Sequence, residues 1–127
     1  MITFIGASQM KKLLLVLTTL FFVSTPLVAF AESPLELQFN AKTEAKKHNQ
    51  EGIHYFNQGH FDESLKHFDA SEDIQRTGEV YFNEALAYDK LGKHGKATIH
   101  FKEAKTLAKG NPKILNSEIL KLHLKKH

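Results

Sequence analysis

The stretch HNQEGIHYFNQGHFDESLKHFDASEDI, residues 48–74, decides the fold, because residues 81–107, YFNEALAYDKLGKHGKATIHFKEAKTL, repeat its pattern 33 positions later. A period of this length is typical of helical-repeat proteins. Small residues at matched positions let the two helices of a hairpin approach closely, while aromatic residues fill the space between hairpins and glycine makes the turn. Five of the 27 aligned pairs are identical, namely Glu51/Glu84, Tyr55/Tyr88, Gly59/Gly92, His67/His100 and Phe68/Phe101.

The flanking sequence also reads as helix, and no segment alternates as a strand does. Apolar stripes with helical spacing cover 61–74, 80–91 and 97–108, and a Leu-rich segment follows at 114–124. Upstream, Ser33-Pro34-Leu35-Glu36 carries the signals of a helix start, which predicts helix from residue 33 to 57, either as one long helix or as two stacked pieces. The chain is therefore predicted to be all-α.

The repeated residues resemble the tetratricopeptide repeat family, whose pattern is W-x2-L-G-x2-Y, then A-x3-F, then P. Glu51 and Glu84 depart from it at the leucine position, and His48 departs at the tryptophan position. An unrelated four-helix bundle with accidental symmetry is the alternative. The matching residues are Gly52, Tyr55, Gly59, Phe61 and Phe68 in the first repeat, and Tyr81, Ala85, Tyr88, Gly92, Ala97, Phe101 and Ala104 in the second.

The resemblance implies a short right-handed α-solenoid of two tandem helix-turn-helix repeats. The first repeat is assigned to residues 45–77 and the second to residues 78–111. Two repeats bury little surface, so an array of this length needs covered ends. Residues 32–44 are therefore predicted to be an N-terminal capping helix, and residues 112–127 a C-terminal capping helix.

Residues 1–31 have the three parts of a secretory signal peptide. Lys11-Lys12 precedes the apolar run 13–23, and Ala29-Phe30-Ala31 forms a cleavage site. Met10 fits this arrangement better than Met1 as the start. The rival interpretation, a retained anchor, needs an apolar segment of roughly 18–20 residues, and this one has about 11. We expect cleavage after Ala31, a secreted or periplasmic protein, and no stable membrane span after cleavage.

The composition and the lack of catalytic motifs argue against an enzymatic or metal-binding function. The chain has no Cys, which excludes disulfides, thiol catalysis and Cys-ligated metals. Its eight histidines include no H-E-x-x-H motif, and neither G-x-S-x-G nor a glycine-rich phosphate loop occurs. The sequence therefore predicts no enzyme activity, no cofactor and no metal site.

Charge is divided along the chain. Residues 32–77 carry a net charge of −4, and residues 78–127 carry +5. The basic half lacks the interleaved aromatic residues that stack on bases, so nucleic-acid binding is not expected. The positive net charge of this half favours an acidic protein partner.

In the tetratricopeptide family the first helix of each hairpin lines a concave groove that binds peptides, so the resemblance implies an adaptor or scaffold function. The groove is either open or filled by the N-terminal helix. The lysine-rich clamp for chaperone carboxylates is absent, since only Asn83 matches it. The implied lining consists of Asn49, Ile53, Phe56, Asn57, Phe82, Asn83, Leu86, Asp89 and Lys90, to which the last helix adds Asn116, Leu120 and His123.

The Leu-rich last helix supports an alternative function. Its apolar residues cover more than one face, which an end cap does not need. Leu120 and Leu124 lie four residues apart and are predicted to be exposed on one face. In this alternative the protein is a structural subunit that forms a homo-oligomer through that helix.

Overall fold

The computed structural model describes residues 31–125, and every regular element in that range is an α-helix. The all-α prediction is confirmed. The helices are α1 (Thr43–Asn57), α2 (Phe61–Ile74), α3 (Gly78–Lys90), α4 (His94–Thr106), α5 (Pro112–Leu115) and α6 (Glu118–Lys125). None of them is both long and apolar enough to cross a membrane. The chain from Glu32 onward forms one compact unit, whereas residues 1–30 of the predicted signal peptide lie outside the described range.

The four long helices form two hairpins, α1–α2 and α3–α4, and α2 packs against α3 between them. Both hairpin turns use a glycine with a left-handed backbone, Gly59 at φ 80° and Gly92 at φ 71°. After each glycine the chain donates a hydrogen bond back to the preceding helix. The N–H of His60 bonds to the carbonyl of Tyr55, and that of Lys93 bonds to the carbonyl of Tyr88. The 33-residue period is thus reproduced in turn geometry.

The core of each hairpin is built around one buried phenylalanine. Phe68 and Phe101 are both completely buried. In the first hairpin the close approach of α1 and α2 is fixed by two serine hydroxyls. Ser64 Oγ donates to the carbonyl of Gly52 at 2.9 Å, and Ser71 Oγ donates to the carbonyl of Ala45 at 2.8 Å.

The predicted helix over 33–57 is wrong in its first part, and so is the predicted capping helix over 32–44. Residues 31–42, here called the N-terminal arm, are not helical, and α1 begins only at Thr43. The helix-start signals at Ser33–Glu36 are local, whereas the N–H and C=O of Leu35 are bonded by side chains far along the chain. Tertiary hydrogen bonds thus replace those a helix would have made.

The C-terminal segment is two short helices rather than one, because the chain turns at Asn116-Ser117. Ser117 Oγ accepts from the N–H of Leu120 and begins α6. The prediction that Leu120 and Leu124 are exposed is wrong: Leu120 is 2% exposed, and Leu124 is half-buried against the core. This face of α6 turns inward because α6 packs on α4.

Candidate functional site

Two buried asparagines, one from each hairpin, lie where the first helices α1 and α3 come together. Asn49 on α1 and Asn83 on α3 are both fully buried. The side-chain amide of Asn83 donates to Asn49 Oδ1 at 2.8 Å, so the two amides form one unit. A buried amide is stable only when its donors and acceptors are paired. The remaining hydrogen-bonding capacity of this pair is directed at the N-terminal arm.

The asparagine pair holds both backbone polar groups of Leu35. Asn83 Oδ1 accepts from the N–H of Leu35 at 2.6 Å. The carbonyl of Leu35 accepts from Asn83 Nδ2 at 2.8 Å and from Asn49 Nδ2 at 2.9 Å. A single residue is thus bound through its main chain, as a neighbouring strand would bind it. This arrangement recognises a peptide backbone and leaves side-chain identity to the surrounding surface.

Other contacts hold the arm on either side of Leu35. The Glu32 carboxylate accepts from the N–H groups of Glu118 and Ile119, at 2.8 and 3.1 Å, at the beginning of α6. A negative charge is favoured at a helix N-terminus. At the other end of the arm, the N–H of Lys42 donates to Gln75 Oε1 at 2.6 Å.

The structure brings together some of the predicted groove residues and separates others. Asn49, Phe56, Phe82, Asn83 and Leu86 are buried. Ile53 is half-buried against the core, whereas Asn57, Lys90 and Asn116 are exposed. The segment that contacts the asparagine pair is the N-terminal one, but it is an irregular arm where a helix had been expected.

Asp89 belongs to a different arrangement, near the C-terminal helix. Its Oδ1 lies 2.9 Å from Nδ1 of His94 and 2.9 Å from Nε2 of His123. The other ring nitrogen of His123 lies 3.0 Å from Thr98 Oγ1. These side chains border an open cleft of about 540 Å³ that Ile119 and Leu122 also line. Sequence spacing could not reveal this group, because His94 and His123 lie on different helices.

A histidine–glutamate pair recurs in both hairpins. Glu51 Oε2 lies 2.9 Å from Nδ1 of His67, and Glu84 Oε2 lies 2.8 Å from Nδ1 of His100. The side chain of Glu51 is 39% exposed, whereas that of Glu84 is completely buried.

Burial also changes the acidity of Glu84, because it removes water from the charged form. Burial raises the pKa of Glu84 to about 7, and the carboxylates of Glu72 and Asp69 act in the same direction. The hydrogen bond with His100 opposes this rise. Among residues 31–125, no group forms a hydrogen bond with the other oxygen of Glu84, Oε1.

Fold and site together define an all-α helical-repeat protein whose two hairpins hold a non-helical segment through buried amides. No family model, curated protein or solved structure matches the chain.

Proposed function

We propose that this protein is an exported protein–protein interaction adaptor that binds a segment of a partner protein between α1 and α3. The observation that carries the proposal is the binding of Leu35 through its main chain by Asn49 and Asn83. Buried amides that pair with a backbone N–H and C=O accept many sequences, which suits a peptide-binding groove. The resemblance to tetratricopeptide repeats supports the same role.

In this proposal the N-terminal arm is the resident ligand of the groove, and a partner segment replaces it. The arm contributes Leu37, which is 8% exposed and belongs to the core, and the acidic Glu32, whose carboxylate binds the first turn of α6. A partner segment that copies these features carries an apolar residue at the position of Leu37 and an acidic residue at the position of Glu32. The net charge of +5 in residues 78–127 favours such a partner.

Peptide exchange tests the proposal. A protease recognition sequence is inserted between Phe39 and Asn40 of the chain 32–127, in the exposed turn that follows the bound part of the arm. After cleavage, a fluorescent peptide of residues 32–39 is expected to bind saturably, as measured by fluorescence anisotropy. A scrambled peptide is expected to give no signal, and the uncut protein is expected to bind the peptide much more weakly, because its tethered arm competes for the groove.

Two variants locate the binding. Asn83→Ala in the cut protein removes the paired amide and is expected to weaken peptide binding at least tenfold. Gln50→Ala changes an exposed residue of α1 outside the expected groove lining and is the control. Equal peptide binding by cut and uncut protein would contradict the proposal, because the peptide would then bind outside the groove. Loss of the helical circular dichroism on cleavage would also contradict it, because the arm would then be a fixed part of the fold.

Self-association through the C-terminal helices is the second candidate. Leu115 is 39% exposed and Leu122 is 57% exposed, so both offer apolar surface although Leu120 is buried. Light scattering on residues 32–127 over a wide concentration range separates the candidates. A mass that rises with concentration and returns to that of the monomer in Leu122→Ser would favour self-association.

A further inference from the structure

Three potential metal ligands converge from three helices of the C-terminal half. Asp89 lies near the end of α3, His94 begins α4, and His123 lies in α6. One ligand atom from each residue lies within 4.8 Å of the other two. Asp89 and His123 are half-buried, whereas the side chain of His94 is 69% exposed. The group thus has two ligands fixed by the fold and one that can adjust.

The hydrogen bonds around His123 leave one ring nitrogen available for a cation. The Thr98 hydroxyl lies 3.0 Å from the carbonyl of His94 and 3.0 Å from His123 Nδ1. When it donates its single hydrogen to the carbonyl, it accepts from Nδ1, and Nδ1 then carries the hydrogen of the ring. In the neutral ring Nε2 then has no hydrogen and carries a lone pair. This atom lies 2.9 Å from Asp89 Oδ1. Two acceptors at this distance require a positive species between them, which is either a second proton or a metal ion.

We propose that Asp89, His94 and His123 bind one divalent transition-metal ion of the zinc class. Two imidazoles and a carboxylate suit zinc, which commonly takes three protein ligands and one water, whereas calcium and magnesium prefer oxygen ligands. Bonds of 2.0–2.1 Å to a tetrahedral ion place ligand atoms about 3.3 Å apart. The two 2.9 Å separations from Asp89 Oδ1 therefore need to open by only a few tenths of an ångström. The two histidine nitrogens lie within 4.8 Å of each other, and the exposed His94 ring can adjust that distance.

The surroundings of His123 match the outer support that metal-binding histidines usually have. A second hydrogen bond fixes the ring orientation of such a ligand, and Thr98 supplies it here. The ring of Phe101, centred 4.9 Å from that of His123, packs against it from α4. A bound ion would tie α6 to the second hairpin.

The first hairpin contains a cluster that serves as an internal comparison. Glu51 Oε2 lies 2.9 Å from Nδ1 of His67 and 3.5 Å from Nδ1 of His48. His67 is stacked on Tyr55, and within the part of the chain that the structure describes His48 Nδ1 forms no hydrogen bond. The cluster offers the same ligand types without a hydroxyl that orients a ring. We assign the ion to Asp89, His94 and His123 for this reason.

Metal titration of residues 32–127, prepared without a histidine tag and freed of metal with a chelator, tests the assignment. Calorimetry with ZnCl₂ at pH 7.5 is expected to give one ion per chain. Co²⁺ is expected to give the visible absorption of a tetrahedral complex. Binding is expected to be lost at pH 5, because protonated imidazole is not a ligand.

Variants decide which residues hold the ion. His94→Gln changes an exposed side chain and is expected to weaken Zn²⁺ binding at least tenfold without altering the circular dichroism. His123→Gln and Asp89→Asn are expected to do the same or more. His54→Gln, an exposed histidine outside both clusters, is the control. Absence of Zn²⁺ binding in the parent, or binding that survives His94→Gln but is lost in His67→Gln, would overturn the proposal.

Discussion

The two hairpins are built alike, yet the same residue meets different surroundings in each. In α1 the buried residues are Ala45, Asn49, Gly52 and Phe56, spaced as one face of a helix. In α3 the ten consecutive residues from Gly78 to Ala87 are all buried. Helix α3 is enclosed because α2 and α4 pack against it from both sides and the arm binds Asn83. The difference shows that position in the stack, rather than the repeated sequence, sets the environment of equivalent residues such as Glu51 and Glu84.

The largest expected effect comes from removing the central aromatic ring of either hairpin. Phe68→Ala and Phe101→Ala are each expected to lower the free energy of unfolding by about 3–5 kcal/mol, because both rings are fully buried. The loss is expected to be greater for Phe101, whose ring also packs against Phe82 and His123. Urea denaturation followed by circular dichroism measures both values.

Phe39→Ala is the control for these two variants, since Phe39 is 95% exposed. Its unfolding curve is expected to coincide with that of the parent. If Phe68→Ala or Phe101→Ala also coincided with the parent, the two rings could not be equivalent core positions, and the comparison between hairpins would lose its basis.

The second prediction uses the buried glutamate of the second hairpin. The pKa of Glu84 is about 7 in the folded protein and near the ordinary 4.5 when the chain unfolds. Below pH 4.5 both states hold the proton, so stability is undiminished there. As the pH rises from 4.5 to 7 the unfolded state loses its proton first, and stability falls by up to about 3 kcal/mol.

Glu84→Gln removes this ionisation while keeping the side-chain shape. The variant is expected to melt at a higher temperature than the parent at pH 8 and at a similar temperature at pH 4.5. His100 from α4, and Asp69 and Glu72 from α2, face Glu84 and remain in both proteins. Glu51→Gln, at the equivalent half-exposed position, is expected to follow the parent. Parallel melting curves of Glu84→Gln and the parent across this pH range would show that burial does not set the proton affinity of Glu84.

The sequence was sufficient to predict the hairpins because their determinants are local and repeated. Gly59 and Gly92 mark both turns, and Phe68 and Phe101 both occupy core positions. The N-terminal arm could not be predicted, since its conformation depends on Asn83, which lies 48 residues from Leu35. Local helix-start signals contribute less free energy than several tertiary hydrogen bonds do.

Part of the candidate site was predictable for a related reason. Asn49 and Asn83 were expected in the groove from their positions on the first helices. That both asparagines bind the main chain of Leu35 could not be predicted, because this contact exists only in the folded protein. Asp89 and His123 were both expected in the groove lining, but their contact with each other and with His94 was not predicted, because it forms only when α6 packs on α4.

The smallest expected effect concerns a position where the two hairpins differ by one methyl group, Gly52 in α1 against Ala85 in α3. A Cβ added at Gly52 would lie 2.5 Å from Cδ1 of Phe68, whose ring is fully buried and cannot swing into solvent. Overpacking of this kind costs about 1–3 kcal/mol, and the better helix propensity of alanine returns about 1 kcal/mol. We therefore expect Gly52→Ala to destabilise the protein by about 1 kcal/mol in urea denaturation.

Gly95→Ala is the matched control for that substitution, because a Cβ at this helical position meets no atom within 4 Å. At position 95 only the higher helix propensity of alanine changes the stability, so the variant is expected to be more stable than the parent by up to about 1 kcal/mol. Opposite signs for the two variants would establish that Phe68 fills the space that a larger residue at position 52 would need. If Gly52→Ala stabilised the protein as Gly95→Ala does, the first hairpin would have room for alanine there, and the tighter contact in that hairpin would have no energetic consequence.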